Sequence, residues 1–378
     1  MRILICFLLP WIIILNSCDK VPFLIAEKKI ANDIIETSDG GYILTGSAKF
    51  KNNTQIILLK IDKDGNQEWS KSFGIENEVD KGYTVIETTD NGFVVLAKQT
   101  SLGLNKEDFY FLKTDKDGNE QFAKIVGGGS HDYVPVHMTN TSGNEYLLTG
   151  YMYTEGNETF DIYLVKITET AETKWVNQFG GTGRQSGAFI HPYPNGYLVI
   201  GSSDTVNNYI AAQTYLLAID SDGNELWSKT FRVGNVSRGN TIKETHDSGF
   251  VIYGRSQEDS LCNTFLLKVD NNGDSIWTKK YNGCVNGYNS VISTSDNGFI
   301  LLTENCSNVA ITKTDDLGNI VWQMPIYEGS HVANIQCVQA TTDGGYILSG
   351  YLNKGYGELS IYVAKTDTDG NLSWSSEY

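Results

Sequence analysis

The sequence is poor in proline and in charged residues, and no segment shows apolar residues at the spacing of a helix. Of 378 residues, 6 are Pro and 20% are charged, whereas 38 are Gly. Few prolines, many glycines and many Tyr, Ile and Val residues are typical of all-β proteins with tight turns. The 40% hydrophobic content is enough for one large core or two ordinary domains.

Catalytic and cofactor signatures are also missing. The chain contains no Cys-Cys pair, no Cys-x-x-Cys-His haem motif, no Gly-x-Ser-x-Gly and no His-Glu-x-x-His. His131 and His137 are six residues apart, which is too loose a spacing to indicate a metal pair. A net charge of -16 would repel nucleic-acid phosphates. The sequence therefore predicts no cofactor, no metal site and no nucleic-acid partner.

An apolar run at the N-terminus, Ile3 to Leu15, is shorter than the roughly 20 residues that a membrane-spanning helix needs, so it is interpreted as a targeting segment. It ends in Leu-Asn-Ser-Cys at Cys18, which resembles the lipobox of bacterial lipoproteins. The resemblance implies a signal peptide over residues 1–17, a lipid on Cys18 and a tether over residues 18–29. The chain would then be anchored in the cell envelope, with the outer membrane or the surface favoured. An ordinary cleaved signal followed by a chance Cys is the alternative.

Four further cysteines lie in the last third of the chain: Cys262, Cys284, Cys306 and Cys337. An even number in an exported protein predicts disulfide bonds, and counting alone allows three pairings. A hairpin turn at Asn272-Gly273 would place position 262 opposite about position 283. Cys262 and Cys284 would then be within reach of a cross-link.

Two sequence patterns recur seven times. The first is close to Asp-Gly-Gly-Tyr-Ile-Leu-Thr-Gly, at intervals of 47 to 53 residues, with its aromatic at Tyr42, Phe93, Tyr146, Tyr197, Phe250, Phe299 and Tyr346. The second is Asp-x-Asp-Gly-Asn followed by an aromatic at Trp69, Phe122, Trp175, Trp227, Trp277, Trp322 and Trp374. Repeats of this length indicate a solenoid, a propeller or an array.

Each repeat is interpreted as four strands joined by tight turns. In the second unit we expect them at Tyr83–Thr89, Gly92–Lys98, Asp108–Asp115 and Glu120–Val126, with Asp-Gly and Asn-Gly turns suited to hairpins. Four antiparallel strands in about 50 residues, repeated seven times, predict an all-β fold, a seven-bladed β-propeller over residues 30–378. An open β-solenoid is the alternative, but it would leave long exposed edges.

The repeats also resemble known propeller families. Tyr215–Trp227, YLLAIDSDGNELW, resembles the tryptophan-docking repeat of quinoprotein-type propellers, although its turn is one residue shorter and lacks the Thr. The units as a whole resemble the propeller repeats of bacterial and archaeal surface proteins. These resemblances imply a propeller architecture and say little about activity, because propellers support unrelated functions. The recurrent aromatic is expected to pack between blades, as in other propellers, with a carbohydrate platform as the alternative.

The stretch Asp62–Asn66, Asp-Lys-Asp-Gly-Asn, could be a calcium loop or a turn. An EF-hand loop needs further ligands and a Glu at its twelfth position, whereas here the Trp strand follows at once. The equivalent stretch at Thr168–Glu172 reads Thr-Glu-Thr-Ala-Glu and has lost most of the acidic ligands. A turn can survive that change and a metal site cannot, so a turn is predicted.

Function is expected where the repeats differ, in the connections between blades. Polar residues there that do not repeat are Asp80, His131, Asp132, Arg184, Arg238, Asn286 and His331. They would converge on one mouth of a central channel and bind a ligand or partner, with ordinary solvated loop polarity as the alternative.

The sequence as a whole predicts a lipid-anchored envelope scaffold that binds a protein, peptide or glycan. In this role the chain resembles the propeller lipoprotein that helps to assemble outer-membrane proteins. The alternatives are an envelope enzyme, either a glycan hydrolase or lyase or a quinoprotein-like oxidoreductase, and a structural surface protein without a ligand.

Overall fold

A computed structural model of the chain describes residues 28–50, 53–101, 106–127, 131–153, 159–181, 183–204, 212–283, 287, 289–305, 308–327 and 329–378. The predictions for Cys18, Cys284, Asn286 and Cys306, and for the signal peptide, fall outside the described residues. Within those residues all regular secondary structure is β-strand, so the predicted all-β class is confirmed. No helix in the described part is long and apolar enough to cross a membrane.

The described residues contain 28 strands, which fall in chain order into seven groups of four. Their bounds are β1 Lys28–Glu36, β2 Tyr42–Phe50, β3 Asn53–Ile61, β4 Gln67–Phe73; β5 Val79–Glu87, β6 Phe93–Ser101, β7 Lys106–Thr114, β8 Glu120–Val126; β9 Asp132–Thr141, β10 Glu145–Tyr153, β11 Phe160–Ile167, β12 Thr173–Phe179; β13 Arg184–Tyr193, β14 Gly196–Asp204, β15 Gln213–Asp220, β16 Glu225–Phe231; β17 Val236–Glu244, β18 Phe250–Glu258, β19 Leu261–Val269, β20 Ser275–Asn282; β21 Val291–Ser293, β22 Phe299–Asn305, β23 Asn308–Thr314, β24 Ile320–Pro325; β25 Val332–Ala340, β26 Tyr346–Asn353, β27 Leu359–Thr366, β28 Leu372–Glu377.

Each group is an antiparallel sheet in which neighbouring strands are consecutive in the chain. Four groups are separate four-stranded sheets. The last, first and second groups join into one sheet through the parallel pairs Lys28–Leu359 and Thr54–Val79. In the second group β8 has the expected bounds, and β5 begins four residues earlier than expected, at Val79.

The connections alternate between the two ends of each group because neighbouring strands are antiparallel. We call the end that carries the first-to-second and third-to-fourth turns the constant face. The opposite end carries the second-to-third and fourth-to-first connections, and we call it the variable face. Every first strand therefore runs from the variable face to the constant face.

The third-to-fourth turns are formed by the predicted Asp-x-Asp-Gly-Asn segments. In the first group Asp62 Oδ1 accepts hydrogen bonds from the backbone N–H of Asp64 (2.9 Å) and of Asn66 (2.8 Å), and Oδ2 accepts one from the Asn66 amide (2.9 Å). Gly65 takes the left-handed conformation at φ +82°. Two backbone hydrogen bonds close the turn, from the Asp62 N–H to the Asn66 carbonyl (2.9 Å) and from the Gly65 N–H to the Asp62 carbonyl (3.1 Å). This backbone pair recurs in all seven groups, so the turn interpretation is confirmed.

A buried lysine on the third strand ties the first-to-second turn in five groups. In the second group Lys113 Nζ donates to Asp90 Oδ1 (2.7 Å) and to Thr88 Oγ1 (2.5 Å), and this hydrogen bonding lowers the pKa of Asp90 to about 2. The equivalent ion pairs are Lys60–Asp39, Lys268–Asp247, Lys313–Asp296 and Lys365–Asp343. Each buried ammonium thus has a carboxylate partner, which offsets its loss of hydration.

Adjacent groups pack face to face through apolar side chains, and the recurrent Trp closes each interface. The ring of Trp374 lies so close to Gly65, in the turn of the first group, that a Cβ there would be 2.8 Å from the ring. The same contact joins Trp69 to Gly118, Trp175 to Gly223, Trp227 to Gly273, Trp277 to Gly318 and Trp322 to Gly370. The predicted packing role of this aromatic is confirmed.

One interface departs from this pattern in both partners. The second group has Phe122 in place of Trp, and the turn that follows in the third group has Ala171 in place of Gly. Ala171 keeps the left-handed conformation, at φ +61°, and is buried in the core against which Phe122 packs. The smaller ring leaves space for the extra Cβ, so the two exceptions compensate each other.

The seven first strands contact one another in the cyclic order β1, β5, β9, β13, β17, β21, β25 and back to β1. The contacts between the last and first groups repeat those between the first and second. Glu87 of the second group accepts hydrogen bonds from the backbone N–H (2.7 Å) and the hydroxyl (2.8 Å) of Ser38, which lies in the first-to-second turn of the first group. Glu36 accepts the same two bonds from Thr342 of the last group, at 2.7 and 2.8 Å.

Candidate functional site

The variable face is where the seven groups differ from one another. Its second-to-third connections range from two residues, 51–52, to eight, 205–212, whereas the third-to-fourth turns keep one hydrogen-bonding pattern. Large apolar side chains are exposed on this face at Ile75, Tyr153, Leu261, Val332 and Tyr356. Tyr356 is fully exposed and Leu261 is 68% exposed. Other exposed apolar side chains lie near the constant face: Leu226, Ile276, Leu317, Ile320, Val321 and Leu372. What distinguishes the variable face is that it carries the two most exposed of the described residues' large apolar side chains, Tyr356 and Leu261.

The described rim residues all lie at the start of a first strand or just before it, on the variable face: Asp80, His131, Asp132, Arg184, Arg238 and His331. Asn286 lies outside the described residues. Two of the six are buried. Asp80 is 1% exposed, and its Oδ2 accepts a hydrogen bond from the N–H of Ile75 (2.8 Å), which fixes the connection before β5. Burial raises the pKa of Asp80 to about 6.

Arg184 is the second buried member of the rim. It is 7% exposed, it lies opposite Asp204 in the ladder, and its guanidinium is 6.0 Å from the Phe160 ring. Asp80 and Arg184 therefore present little side-chain surface to a partner, and their burial points to a role in holding the connections.

The other four rim residues keep part of their side chains exposed. Asp132 Oδ1 accepts a hydrogen bond from the N–H of Glu107 (3.2 Å), and Glu107 forms an ion pair with Lys98. The ring of His131 is 6.3 Å from that of Tyr133, and Arg238 lies opposite Arg255 in the ladder. The charge of His331 contributes, after the hydrogen bond from Lys354, to lowering the pKa of Glu377. Assignment of these residues to partner binding stays a prediction.

The cysteines separate into two environments. Cys262 is disulfide-bonded, and its backbone carbonyl accepts a hydrogen bond from the N–H of Gly283 (3.1 Å), close to the expected register. The pairing with Cys284 stays a prediction because Cys284 lies outside the described residues. Cys337 is a free, fully buried thiol, so the prediction that it belongs to a disulfide is wrong. Its Sγ donates to Asp33 Oδ1 (3.4 Å), since β25 places it against β1.

Titratable side chains from five groups, together with one Phe ring, meet between the first strands. We call this set the inner cluster: Asp33, His137, Phe189, His191, Lys243 and Cys337. Sequence analysis missed it, because alignment of the first strands depends on a bulge that six of them contain. Once the bulges are matched, Asp33, His137, Phe189 and Cys337 occupy the position where other first strands carry Thr84 or Thr241.

Burial controls the charges in the inner cluster. It raises the pKa of Asp33 to about 6, although the N–H of Val85 donates to Asp33 Oδ2 (3.0 Å). It lowers the pKa of His137 far below its usual value and that of His191 to about 4, so both imidazoles are neutral. It also lowers the pKa of Lys243 and raises that of the Cys337 thiol. In the described part of the chain no three metal-binding side chains are grouped to hold an ion.

No protein-family model and no curated protein matches the chain. Solved structures do match: puromycin hydrolase, with a TM-score of 0.58 and 11% identity over 93% of this chain and 55% of that chain, and the Dos1 propeller, with 0.54 and 14% over 90% and 79%. A Pyrococcus horikoshii acylaminoacyl peptidase matches with 0.50 and 14% over 89% and 52%. At such identities the likeness shows the fold alone, a β-propeller. The chain spans about half the length of the hydrolase and the peptidase.

Proposed function

We propose that the protein is a lipid-anchored scaffold of the bacterial cell envelope, a closed seven-bladed β-propeller whose variable face binds a protein, peptide or glycan. The blades act as a rigid support, and their connections present the side chains that recognise the partner. The hydrolase and peptidase names of the similar structures are not carried over, because the chain spans about half of their length.

Closure into a ring is supported by the contacts between the last and first groups. Trp374 covers Gly65 as Trp69 covers Gly118, and Glu36 binds Thr342 as Glu87 binds Ser38. Two contacts of an ordinary interface are thus repeated between the last and first groups. A closed ring also leaves no unprotected sheet face, which an open array would expose.

The binding role rests on one observation: the two most exposed of the described residues' large apolar side chains, Tyr356 and Leu261, lie on the variable face. Tyr356 lies in a second-to-third connection, Leu261 begins the third strand β19, and Val332 begins the first strand β25. The turns of the constant face instead use their polar side chains within the turn itself, as Asp62 and Asn66 do. A few anchor residues, among which Tyr is enriched, commonly dominate the binding energy of an interface.

The binding role is tested with full-length tagged protein recovered from detergent-solubilised envelopes. We expect one set of partners to be enriched by the native chain and lost with the double variant Leu261→Ser/Tyr356→Ser. Leu317→Ser is the matched control, because Leu317 is also strongly exposed but lies in a turn of the constant face. Enrichment that is equal for both variants, or absent with the native chain, would refute binding through the variable face.

Lipid anchoring is tested separately by mass spectrometry of the N-terminal peptide. We expect diacylglycerol on Cys18 after removal of residues 1–17, and we expect Cys18→Ser to leave the chain unprocessed. A processed chain whose N-terminus lies elsewhere would rule out the lipobox interpretation and would leave the binding test unaffected.

A further inference from the structure

A pair of hydrogen-bond donors recurs on the constant face and binds a carboxylate at two interfaces. The donors are the backbone N–H and the hydroxyl of the second residue in the first-to-second turn, which we call the clamp residue. Ser38, the clamp residue of the first group, binds Glu87 of the second at 2.7 and 2.8 Å. Thr342 of the last group binds Glu36 of the first at the same distances. This donor pair is therefore suited to a carboxylate.

The clamp between the second and third groups lacks its carboxylate. Thr89 is the clamp residue, but the third group carries Asn140 where the others carry a glutamate. The positions correspond, because Asn140, Glu36 and Glu87 each pair with the recurrent aromatic of the second strand. Among the described residues, no group accepts from the N–H or the hydroxyl of Thr89, and the Asn140 amide forms no hydrogen bond. Both side chains are exposed, so a ligand can reach them.

The open clamp lines a cavity of about 360 Å³ between the second and third groups. Cavities of about 300 to 1,000 Å³ are the usual size for small ligands. Phe122, which replaces Trp in this group alone, gives the cavity a half-buried aromatic wall. Its lining includes Thr89, Gln121, Phe122, Asn140, Tyr146 and Glu169. The free donors of the clamp therefore reach a space that can hold a small molecule.

The charges of this cavity differ from those of the equivalent cavity between the first and second groups. There Glu87 occupies the clamp, and Lys116 lies in the third-to-fourth turn of the second group. At the corresponding positions this cavity has the neutral Asn140 and the acidic Glu169. A negative charge is thus missing at the clamp, and a negative charge stands at the turn where the other cavity has a positive one.

The lysines around the cavity do not neutralise Glu169. Lys113 pairs with Asp90 (2.7 Å), and Lys124 donates to a backbone carbonyl of the neighbouring turn (2.8 Å). In the described part of the chain Glu169 forms no ion pair. Burial raises the pKa of Tyr146 to about 12, and the charges of Glu169 and Asp90 contribute to the rise. The negative charge of Glu169 therefore acts inside the cavity that Tyr146 lines.

We propose that this cavity binds an amino acid as its zwitterion, with the carboxylate held by the N–H and hydroxyl of Thr89 and the ammonium paired with Glu169. Hydrogen bonds to charged groups are the stronger ones. A carboxylate without an ammonium is disfavoured, because three carboxylates and one ammonium of the described residues already line the cavity. The side chain of the amino acid lies against Phe122. The site is on the constant face and does not depend on binding at the variable face.

The site is tested by saturation-transfer NMR with the full-length protein in detergent and L-phenylalanine as the probe. We expect the native protein to bind L-phenylalanine. L-Phenylalaninamide lacks the carboxylate and 3-phenylpropionate lacks the ammonium, so each should bind about tenfold more weakly or less. Equal binding of all three compounds would show recognition of the aromatic ring alone and would overturn the proposal.

Two substitutions that copy other groups test the assigned contacts. Asn140→Glu supplies the missing glutamate, so it should fill the clamp, abolish binding and raise the urea midpoint. Glu169→Lys should weaken L-phenylalanine binding about tenfold and strengthen that of 3-phenylpropionate, which reverses the preference. Thr89→Val, which loses only the hydroxyl donor, should weaken binding several-fold. Ser295→Ala is the matched control and should leave binding unchanged, because Ser295 is the clamp residue of the sixth group, where Ala340 replaces the glutamate.

Urea unfolding separates loss of the site from loss of the fold, and the substituted side chains are exposed, so cooperative unfolding is expected for every variant. No binding of L-phenylalanine to the native chain, unchanged binding in a folded Asn140→Glu, or an unchanged preference in a folded Glu169→Lys would each refute the zwitterion site. These results leave the variable-face interaction standing, because Leu261 and Tyr356 lie on the opposite face.

Discussion

Closure of the ring can be tested by removing one carboxylate at two equivalent interfaces. Glu36 joins the last group to the first, and Glu87 joins the first to the second, through the same two hydrogen bonds at the same distances. Hydrogen bonds to a charged group contribute about 1.5–3 kcal/mol when they are protected from water. These lie at the surface, so we expect Glu36→Ala and Glu87→Ala each to lower the free energy of unfolding by about 1–2 kcal/mol.

The chain offers a matched control for this pair. Glu244 occupies the same position at the end of β17, but its side chain is exposed. Within the described ranges only its backbone carbonyl makes a contact across the interface, accepting a hydrogen bond from Ser293 Oγ (2.6 Å). Glu244→Ala should therefore change stability by less than about 0.5 kcal/mol. The assay is urea unfolding followed by both tryptophan fluorescence and circular dichroism, which must give coincident transitions for the comparison to hold.

The informative outcome is how the shift of the urea midpoint in Glu36→Ala compares with the shift in Glu87→Ala. In a closed ring Glu36→Ala and Glu87→Ala shift the urea midpoint alike. If Glu87→Ala is destabilising while Glu36→Ala behaves like Glu244→Ala, the last and first groups do not meet in solution and the closed ring is refuted.

Further predictions concern the odd interface, the free thiol and the response to pH. Phe122→Trp should lower the free energy of unfolding by about 1–3 kcal/mol by overpacking, and the added change Ala171→Gly should restore it; additive effects in a double-mutant cycle would contradict the compensation. Cys337 should resist alkylation in the native protein and react after denaturation, because it is fully buried and its pKa is raised; rapid native labelling would contradict its placement. Asp33 and Asp80 have folded pKa values raised to about 6, so the folded state binds more protons than the unfolded state between about pH 4 and 6. The free energy of unfolding should therefore fall as pH rises through that range, and Asp33→Asn should flatten the decline by on the order of 2 kcal/mol; an unchanged urea-midpoint profile in that variant would contradict the assigned burial.

The sequence carried enough information for the repeating part of the fold. Asp-Gly and Asn-Gly turns between short apolar segments are local signals, and they predict the hairpins of each group. The spacing of Trp69 and its equivalents predicts the packing interfaces between neighbouring groups. Less local features were missed. The compensation between Phe122 and Ala171 joins residues 49 positions apart that look in the sequence like two unrelated exceptions.

The candidate site was harder to predict because polarity in a connection does not reveal exposure. Asp80 and Arg184 are polar residues that do not repeat, which predicts a binding role, yet their side chains are buried. Counting alone predicts a disulfide for Cys337, whereas its place on the first strand of the last group puts it beside Asp33. Convergence of five groups on Lys243 follows from strand bulges and the cyclic packing of first strands, and the sequence shows neither directly.

The direction of the first strands has a consequence for orientation at a membrane. β1 runs from the variable face to the constant face, so the chain enters the first group at the variable face, at Lys28. If Cys18 carries the lipid, the nine residues between it and Lys28 allow ten residue steps, which reach at most about 36 Å when fully extended. The bilayer would then lie on the side of the variable face, and the constant face would point away from it. A partner bound by Leu261 and Tyr356 would occupy the gap between propeller and lipid, as an integral membrane protein or a chain emerging from one could do.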